Sequence, residues 1–262
     1  MSAWTEKLAS RTQDGRAFAA NVAAATALLT RVPVVVRPDL VGAAAFGAIG
    51  ALIGAAGGLV VILFAPVSAQ VAAILAITVM TLLSGALHLD GLADTADALA
   101  APDPDAAERA RLDPRIGPAG LIAIVLVLGL EWTVVLALMD AIGAVAAAAG
   151  LVMATSIARS AAALTPVTGA PRPRPGFGSW FADRVTRRDA VLSIATTLAI
   201  AASLALVMGR PIFLAAAIVG VVGGVFWARI LGRLRHGLDG DALGAIVELT
   251  SASTLLALLL AA

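Results

Sequence analysis

The sequence predicts an all-α, polytopic integral membrane bundle with about seven transmembrane helices, and three observations carry that prediction. Of 262 residues, 60% are hydrophobic and 13% charged, with a mean hydropathy of +0.98. Soluble domains average about 25% charged residues, so too little charge is present to cover a water-facing surface. The apolar residues come in runs long enough to cross a bilayer, which takes about 20 of them. The basic residues sort to one side of those runs.

In chain order, the spans are expected at 42–64, 67–87, 119–139, 141–157, 190–208, 211–231 and 245–262. The earlier apolar run, 17–30, is too short to span and reads as an interfacial or re-entrant helix. Residues 1–16 are polar, mixed in charge and without the apolar centre of a signal peptide. The chain, 1–262, reads as a single membrane-embedded domain. A net charge of +1 supplies no basic field for nucleic acid, and the absence of cysteine excludes disulfides, thiolate nucleophiles and cysteine metal sites.

Orientation follows from charge. Seventeen of the 18 Lys and Arg residues fall on the side that holds the N-terminus, Arg210 being the exception. By the positive-inside rule that side is cytoplasmic. The outer turns are minimal, at 65–66, 140 and 209–210, whereas the inner connections 88–118 and 158–189 are long. Function concentrates on loops that a rigid scaffold presents, so the active-site loops are expected on the cytoplasmic face.

The most informative stretch is His88-Leu-Asp-Gly-Leu-Ala-Asp-Thr-Ala-Asp97. Asp90, Asp94 and Asp97 are spaced i, i+4, i+7, which on a helix places them within about 40° of one another. No basic residue lies between His88 and Glu108 to offset them. A solvated acidic face is the plain alternative. A hard divalent cation such as Mg²⁺ would relieve the repulsion, and such sites usually also bind substrate phosphates. A second polar signature follows, Asp113-Pro-Arg-Ile-Gly-Pro-Ala-Gly120. There Arg115 is a candidate phosphate clamp, and Gly117 and Gly120 allow close backbone approach.

Other polar residues carry weaker signals. Asp241 and Glu248 are seven apart, hence on one face if helical, and Glu248 lies within an apolar span, where carboxylates are costly. Glu131, mid-span, reads as structural or protonated. His88 and His236 read as structural residues; on a helix His88 lies about 200° from Asp90. The proline-rich 165–181 connection, with Arg172 and Arg174, reads as a clamping loop or a linker.

The Leu89-Asp-Gly-Leu-Ala-Asp-Thr-Ala-Asp97 run, followed by Asp113-Pro-Arg-Ile-Gly117, closely resembles the cobalamin synthase family. Leu29-Thr-Arg-Val-Pro33, the glycine-rich 47–54 and Gly240-Asp-Ala-Leu-Gly-Ala-Ile-Val-Glu248 resemble its other elements in order. Departures are Pro114, where the family often has serine, and Ala100, Pro102 and Pro104, where it has a glycine-rich stretch. The resemblance implies a transferase that joins adenosylcobinamide-GDP to α-ribazole or its 5′-phosphate in the bacterial cytoplasmic membrane, releasing GMP. It implies Mg²⁺ held by Asp90, Asp94 and Asp97, with Asp94 or Asp97 as general base and a ribazole 5′ oxygen as nucleophile. Arg115 and Arg31 would clamp phosphate, and Asp113, Gly117 and Asp241 would contact substrate. Membrane lipid and a second copy of the chain are the expected partners. A CDP-alcohol-type lipid phosphotransferase would use the same metal logic, and a secondary transporter is the generic alternative, though the acids cluster at one edge rather than at the midplane.

Overall fold

The computed structural model describes residues 3–168 and 176–262, so Arg172 and Arg174 of the proline-rich connection lie outside the described residues. Among the described residues there are eleven α-helices and no β-strand. In order they are α1 (Ala3–Leu29), α2 (Phe46–Phe64), α3 (Ala69–Ser84), α4 (Leu87–Ala100), α5 (Pro104–Leu112) and α6 (Pro118–Ile142). They continue with α7 (Ala144–Thr168), α8 (Phe177–Arg184), α9 (Arg187–Met208), α10 (Ile212–Leu234) and α11 (Gly240–Leu260). Six are long and apolar enough to cross a membrane: α2, α6, α7, α9, α10 and α11. The seventh expected span is a broken one. Helix α3 has 16 residues, about 24 Å at 1.5 Å per residue, and the chain then turns by 89° into α4. Consecutive left-handed residues, Gly85 (φ +64°) and Ala86 (φ +57°), make the turn. The apolar part of α1, Ala17–Leu29, is too short to cross and buries Ala24, Ala25 and Leu29.

Helix α7 is the centre of the bundle. In lipid, helices associate by close packing and interhelical hydrogen bonds rather than by hydrophobic burial, so small residues line their contacts. Helix α2 meets α7 through Gly50, Gly54 and Gly58, one helical turn apart. A Cβ on Gly50 would lie 2.9 Å from Ser156 Cα, and one on Gly58 3.0 Å from the Ala148 carbonyl oxygen. Hydroxyls then tie α2, α7 and α9 together. Ser193 Oγ accepts the Gly47 N–H at 3.1 Å, Ser156 donates to the Gly47 carbonyl at 2.8 Å, and Ser160 pairs with both Ser193 and Thr197 at 2.8 Å.

Helix α7 runs eleven residues beyond the expected 141–157 span, and this corrects the reading of one arginine. Arg159, counted from sequence at the inner end of that span, is 4% exposed within the bundle. It shares a small polar cavity with Glu131, Glu248 and Ser251, and Ser251 donates to Glu131 at 2.7 Å. The two intramembrane carboxylates therefore answer to one buried guanidinium.

Candidate active site

Helix α4 carries all three aspartates away from the α3 axis and packs across α11 and α6. The α4–α11 crossing is close because both helices present glycine. A Cβ on Gly91 would lie 2.7 Å from the Asp241 carbonyl oxygen, and one on Gly244 2.9 Å from that of His88. This contact brings Asp241 to the aspartate helix. Asp94 lies within electrostatic reach of Asp90, Asp97, Arg111 and Arg235, and Asp241 within reach of Asp94, Asp239, Arg111 and Arg235.

The 88–118 connection, expected as a loop, is built from α4 and α5. Asp103 caps α5, its Oδ1 accepting the Ala106 N–H at 2.7 Å, with Pro104 at the first helical position, a placement that suits its fixed φ. Helix α5 presents Arg111, held by Glu108 one turn earlier at 2.9 Å and charged more firmly for that pairing. Beyond it, Asp113 grips Arg115 through Nε at 2.9 Å and Nη2 at 2.6 Å, and also accepts its backbone N–H at 3.0 Å. These bonds push the Asp113 carboxyl down to about 2. Arg115 remains exposed, with its Nη1 edge unspent by this pairing.

Asp97 does something different from its two neighbours. Its Oδ2 accepts the Gly117 N–H at 2.7 Å and its Oδ1 the Gly120 N–H at 2.8 Å. These are amides at the start of α6, where the helix leaves N–H groups without intrahelical partners and favours negative charge. The close backbone approach that Gly117 and Gly120 permit is thus an approach to Asp97.

Two cavities flank α4. One, of about 520 Å³, is walled by Asp90, Asp94, Arg111, Asp113 and Arg115. The other, of about 230 Å³, lies among α1, α4, α8 and α11 and is mainly apolar, with Asp90 and Asp241 in its wall. Asp90 borders both. The smaller cavity wraps the first turn of α4, so His88 and Asp90 share it despite lying on opposite sides of that helix. Of the residues expected at the site, Asp90, Asp94, Asp113, Arg115 and Asp241 gather around these cavities. Gly117 faces Asp97. Arg31 stands apart, its backbone N–H bonded to Leu83 and its stem packed on Gly85 at the α3–α4 break.

Among the described residues no three His, Cys, Asp or Glu side chains converge on a single point. Mg²⁺ does not require it, since it is usually held by one or two carboxylates together with substrate phosphates and water. Asp90 and Asp94, one turn apart and without hydrogen bonds to described residues, fit that donor set. Sequence reasoning missed Arg111 and Arg235, which it counted only as inner-side charge. Arg235 is 6% exposed and bonded to Asp239 at 2.5 Å, with Nε and Nη1 buried and unpartnered. Its spacing of four from Asp239 was the available signal.

Residues 21–259 match the family described as cobalamin-5-phosphate synthase. An adenosylcobinamide-GDP ribazoletransferase of Pseudomonas paraeruginosa is 38% identical over 191 residues, covering 72% of this chain and 74% of that protein. Proteins of the same name from Klebsiella pneumoniae and Citrobacter koseri are each 34% identical, over 82% and 83% of this chain and 85% and 87% of theirs. No solved structure matches the chain.

Proposed function

This chain belongs to the cobalamin-5-phosphate synthase family, and from that premise we propose that it transfers the adenosylcobinamide-phosphate group of adenosylcobinamide-GDP to α-ribazole or its 5′-phosphate, releasing GMP. The observation that carries the reading is the larger cavity, where the carboxylates of Asp90 and Asp94 share one wall system with the guanidinium groups of Arg111 and Arg115. A diphosphate is polyanionic and needs cations on its oxygens, and phosphoryl transfer is mostly positioning and charge stabilisation. Asp90 and Asp94 would hold Mg²⁺ against it, while Arg115, oriented by Asp113, and Arg111 engage the remaining oxygens. When bound, Mg²⁺ supplies neutralisation of the diphosphate and of the charge that develops on departing GMP.

The family description supports a different nucleophile from the 5′ oxygen expected from sequence. A 5-phosphate product means that an acceptor phosphorylated at its 5′ oxygen keeps that group, so another ribose hydroxyl attacks. That oxygen forms a bond to the phosphorus bearing cobinamide, and the bond from this phosphorus to GMP breaks. The hydroxyl proton goes to a carboxylate. Of the two candidate bases, Asp97 is engaged by the α6 amides, which leaves Asp94. The cavity lies at the membrane edge predicted as cytoplasmic, where nucleotide substrates are found.

The test uses the full chain in detergent with both substrates and Mg²⁺, following GMP and the corrinoid product by chromatography. Asp90→Asn and Asp94→Asn should each lower turnover by roughly a hundredfold or more, since a catalytic metal supplies several kcal/mol. Chelation should abolish it and Mg²⁺ restore it. Wild-type turnover that persists in the chelator would overturn the metal assignment, and turnover of CDP-diacylglycerol in place of the GDP donor would favour a lipid phosphotransferase.

A further inference from the structure

The smaller cavity has a different chemistry from the site beside it. Its volume of about 230 Å³ falls below the roughly 300–1,000 Å³ that hold whole drug-sized ligands. It suits one ring system and not a nucleotide or a corrinoid. Phe46, Phe177 and Phe181 form one side, with ring centroids 6.0 Å apart from Phe46 to Phe181 and from Phe177 to Phe181. Leu28, Ala162 and Leu243 are among the residues that complete it. Phe46 and Phe181 are buried, whereas Phe177 is 44% exposed. The polar side chains in the wall are His88, Asp90 and Asp241. His88 is 5% exposed, and its Nδ1 has no hydrogen-bond partner.

We infer that this cavity is the subsite for the aromatic base of the acceptor riboside, placing the ribose at Asp90 between the two cavities. The inference rests on the proposed transferase reading and adds where the acceptor sits. Two aromatic rings are candidates for an aromatic slot, the benzimidazole of α-ribazole and the guanine of the donor. Guanine presents several donors and acceptors that must be matched when buried, at a cost for each one left unpaired. Beyond His88, Asp90 and Asp241, the phenylalanine, leucine and alanine side chains of the wall offer none. The benzimidazole carries one bare ring nitrogen, an acceptor, and a neutral His88 imidazole has one N–H to donate. Planar rings gain from offset or edge contacts with phenylalanine. Asp90 borders both cavities, so a riboside seated here points its hydroxyls toward the diphosphate held on the other side.

The test compares initial rates of full-length wild type, Phe177→Ala and Ala162→Leu in detergent with Mg²⁺, varying each substrate in turn. Phe177→Ala should raise the KM for α-ribazole about three- to tenfold, the worth of one aromatic contact, with the KM for adenosylcobinamide-GDP unchanged. Ala162→Leu fills the floor, so it should turn preference from the 5,6-dimethylbenzimidazole riboside toward the unsubstituted benzimidazole riboside by about tenfold or more in kcat/KM. The unchanged donor KM shows that each variant is folded. A shift confined to the donor KM would place guanine in the slot and overturn the inference. Unchanged kinetics with both ribosides would also overturn it, as for a cavity that holds only lipid or detergent. Wild type without turnover of either α-ribazole or its 5′-phosphate would sink the transferase reading itself, an outcome distinct from either.

Discussion

Asp97 on α4 reaches the first turn of α6, its Oδ2 accepting the backbone N–H of Gly117 at 2.7 Å. Its Oδ1 accepts Gly120 at the same helix end, so one carboxylate caps a membrane helix from a neighbouring helix. Hydrogen bonds to a charged group are worth about 1.5–3 kcal/mol. Asp97→Asn keeps one acceptor oxygen and turns an NH₂ toward the other N–H, so it should cost about 2 kcal/mol. The expected result is a lower melting temperature in detergent. Asp90→Asn, which disturbs no hydrogen bond to a described residue, should melt as wild type does. An Asp97→Asn variant with wild-type melting and altered Mg²⁺ dependence would instead make Asp97 a metal ligand.

Gly120→Ala tests the same joint from the other side. Its Cβ would lie 2.5 Å from Asp97 Oδ2 and 2.9 Å from the Ala93 carbonyl oxygen, nearer than real Cβ contacts come. Helix α4 must then move away from α6, lowering both melting temperature and turnover. Because residues in contact are coupled, the Asp97→Ala, Gly120→Ala double variant should lose less than the sum of the single losses. Full additivity in that thermal-melt cycle would mean that the two do not share this contact.

Much of this was legible in the chain. Apolar runs revealed the six long helices, and the i, i+4, i+7 spacing placed Asp90, Asp94 and Asp97 on one helix. The 89° break was not legible as a bend, because 67–87 holds no charged residue or proline and only Gly85 hints at a left-handed residue. Nor was the difference in hydrogen bonding among the aspartates. Periodicity shows which residues share a face, whereas the capture of Asp97 by Gly117 depends on how α6 docks. Arg159 was hidden for a related reason: counting arginines toward the inner side assumes they lie at span ends, and α7 continues past it. The aromatic cavity assembles Phe46 with Phe177 and Phe181 from distant parts of the chain, a juxtaposition that local patterns do not encode.

Arg159 offers a test of the buried network. With Glu131 and Glu248 around one small cavity, removing the guanidinium leaves two carboxylates buried without a cation. Arg159 Nε has no hydrogen-bond partner among the described residues, so the charges act across the cavity. The loss should fall below the roughly 3–5 kcal/mol of breaking a direct buried ion pair. Arg159→Met should still unfold at lower temperature, and adding Glu248→Gln should recover part of the loss. No recovery would show that Arg159 stabilises the bundle by packing and not by charge.

The Asp113–Arg115 pair carries a prediction about substrate and one about pH. Asp113 holds the Nε and Nη2 edge of Arg115, which leaves the Nη1 edge for the donor phosphate in the proposed reading. Lysine has no planar fork to be held in this way, so Arg115→Lys should raise the donor KM about tenfold. That is the scale of one charge-assisted hydrogen bond, and the acceptor KM should not change. Asp113→Ala should shift the donor KM in the same direction, because the guanidinium loses its orientation. The Asp113 carboxyl is pushed down to about 2 in the folded protein, below its unfolded value of about 3.9. A lowered folded value means that the pairing is fully present above the unfolded value and is lost as pH falls through about 2. The donor KM should therefore show no step from Asp113 between pH 5 and 9. Initial rates of GMP release across donor concentration and pH measure both effects. An Arg115→Lys variant with wild-type donor KM would remove Arg115 from the phosphate site.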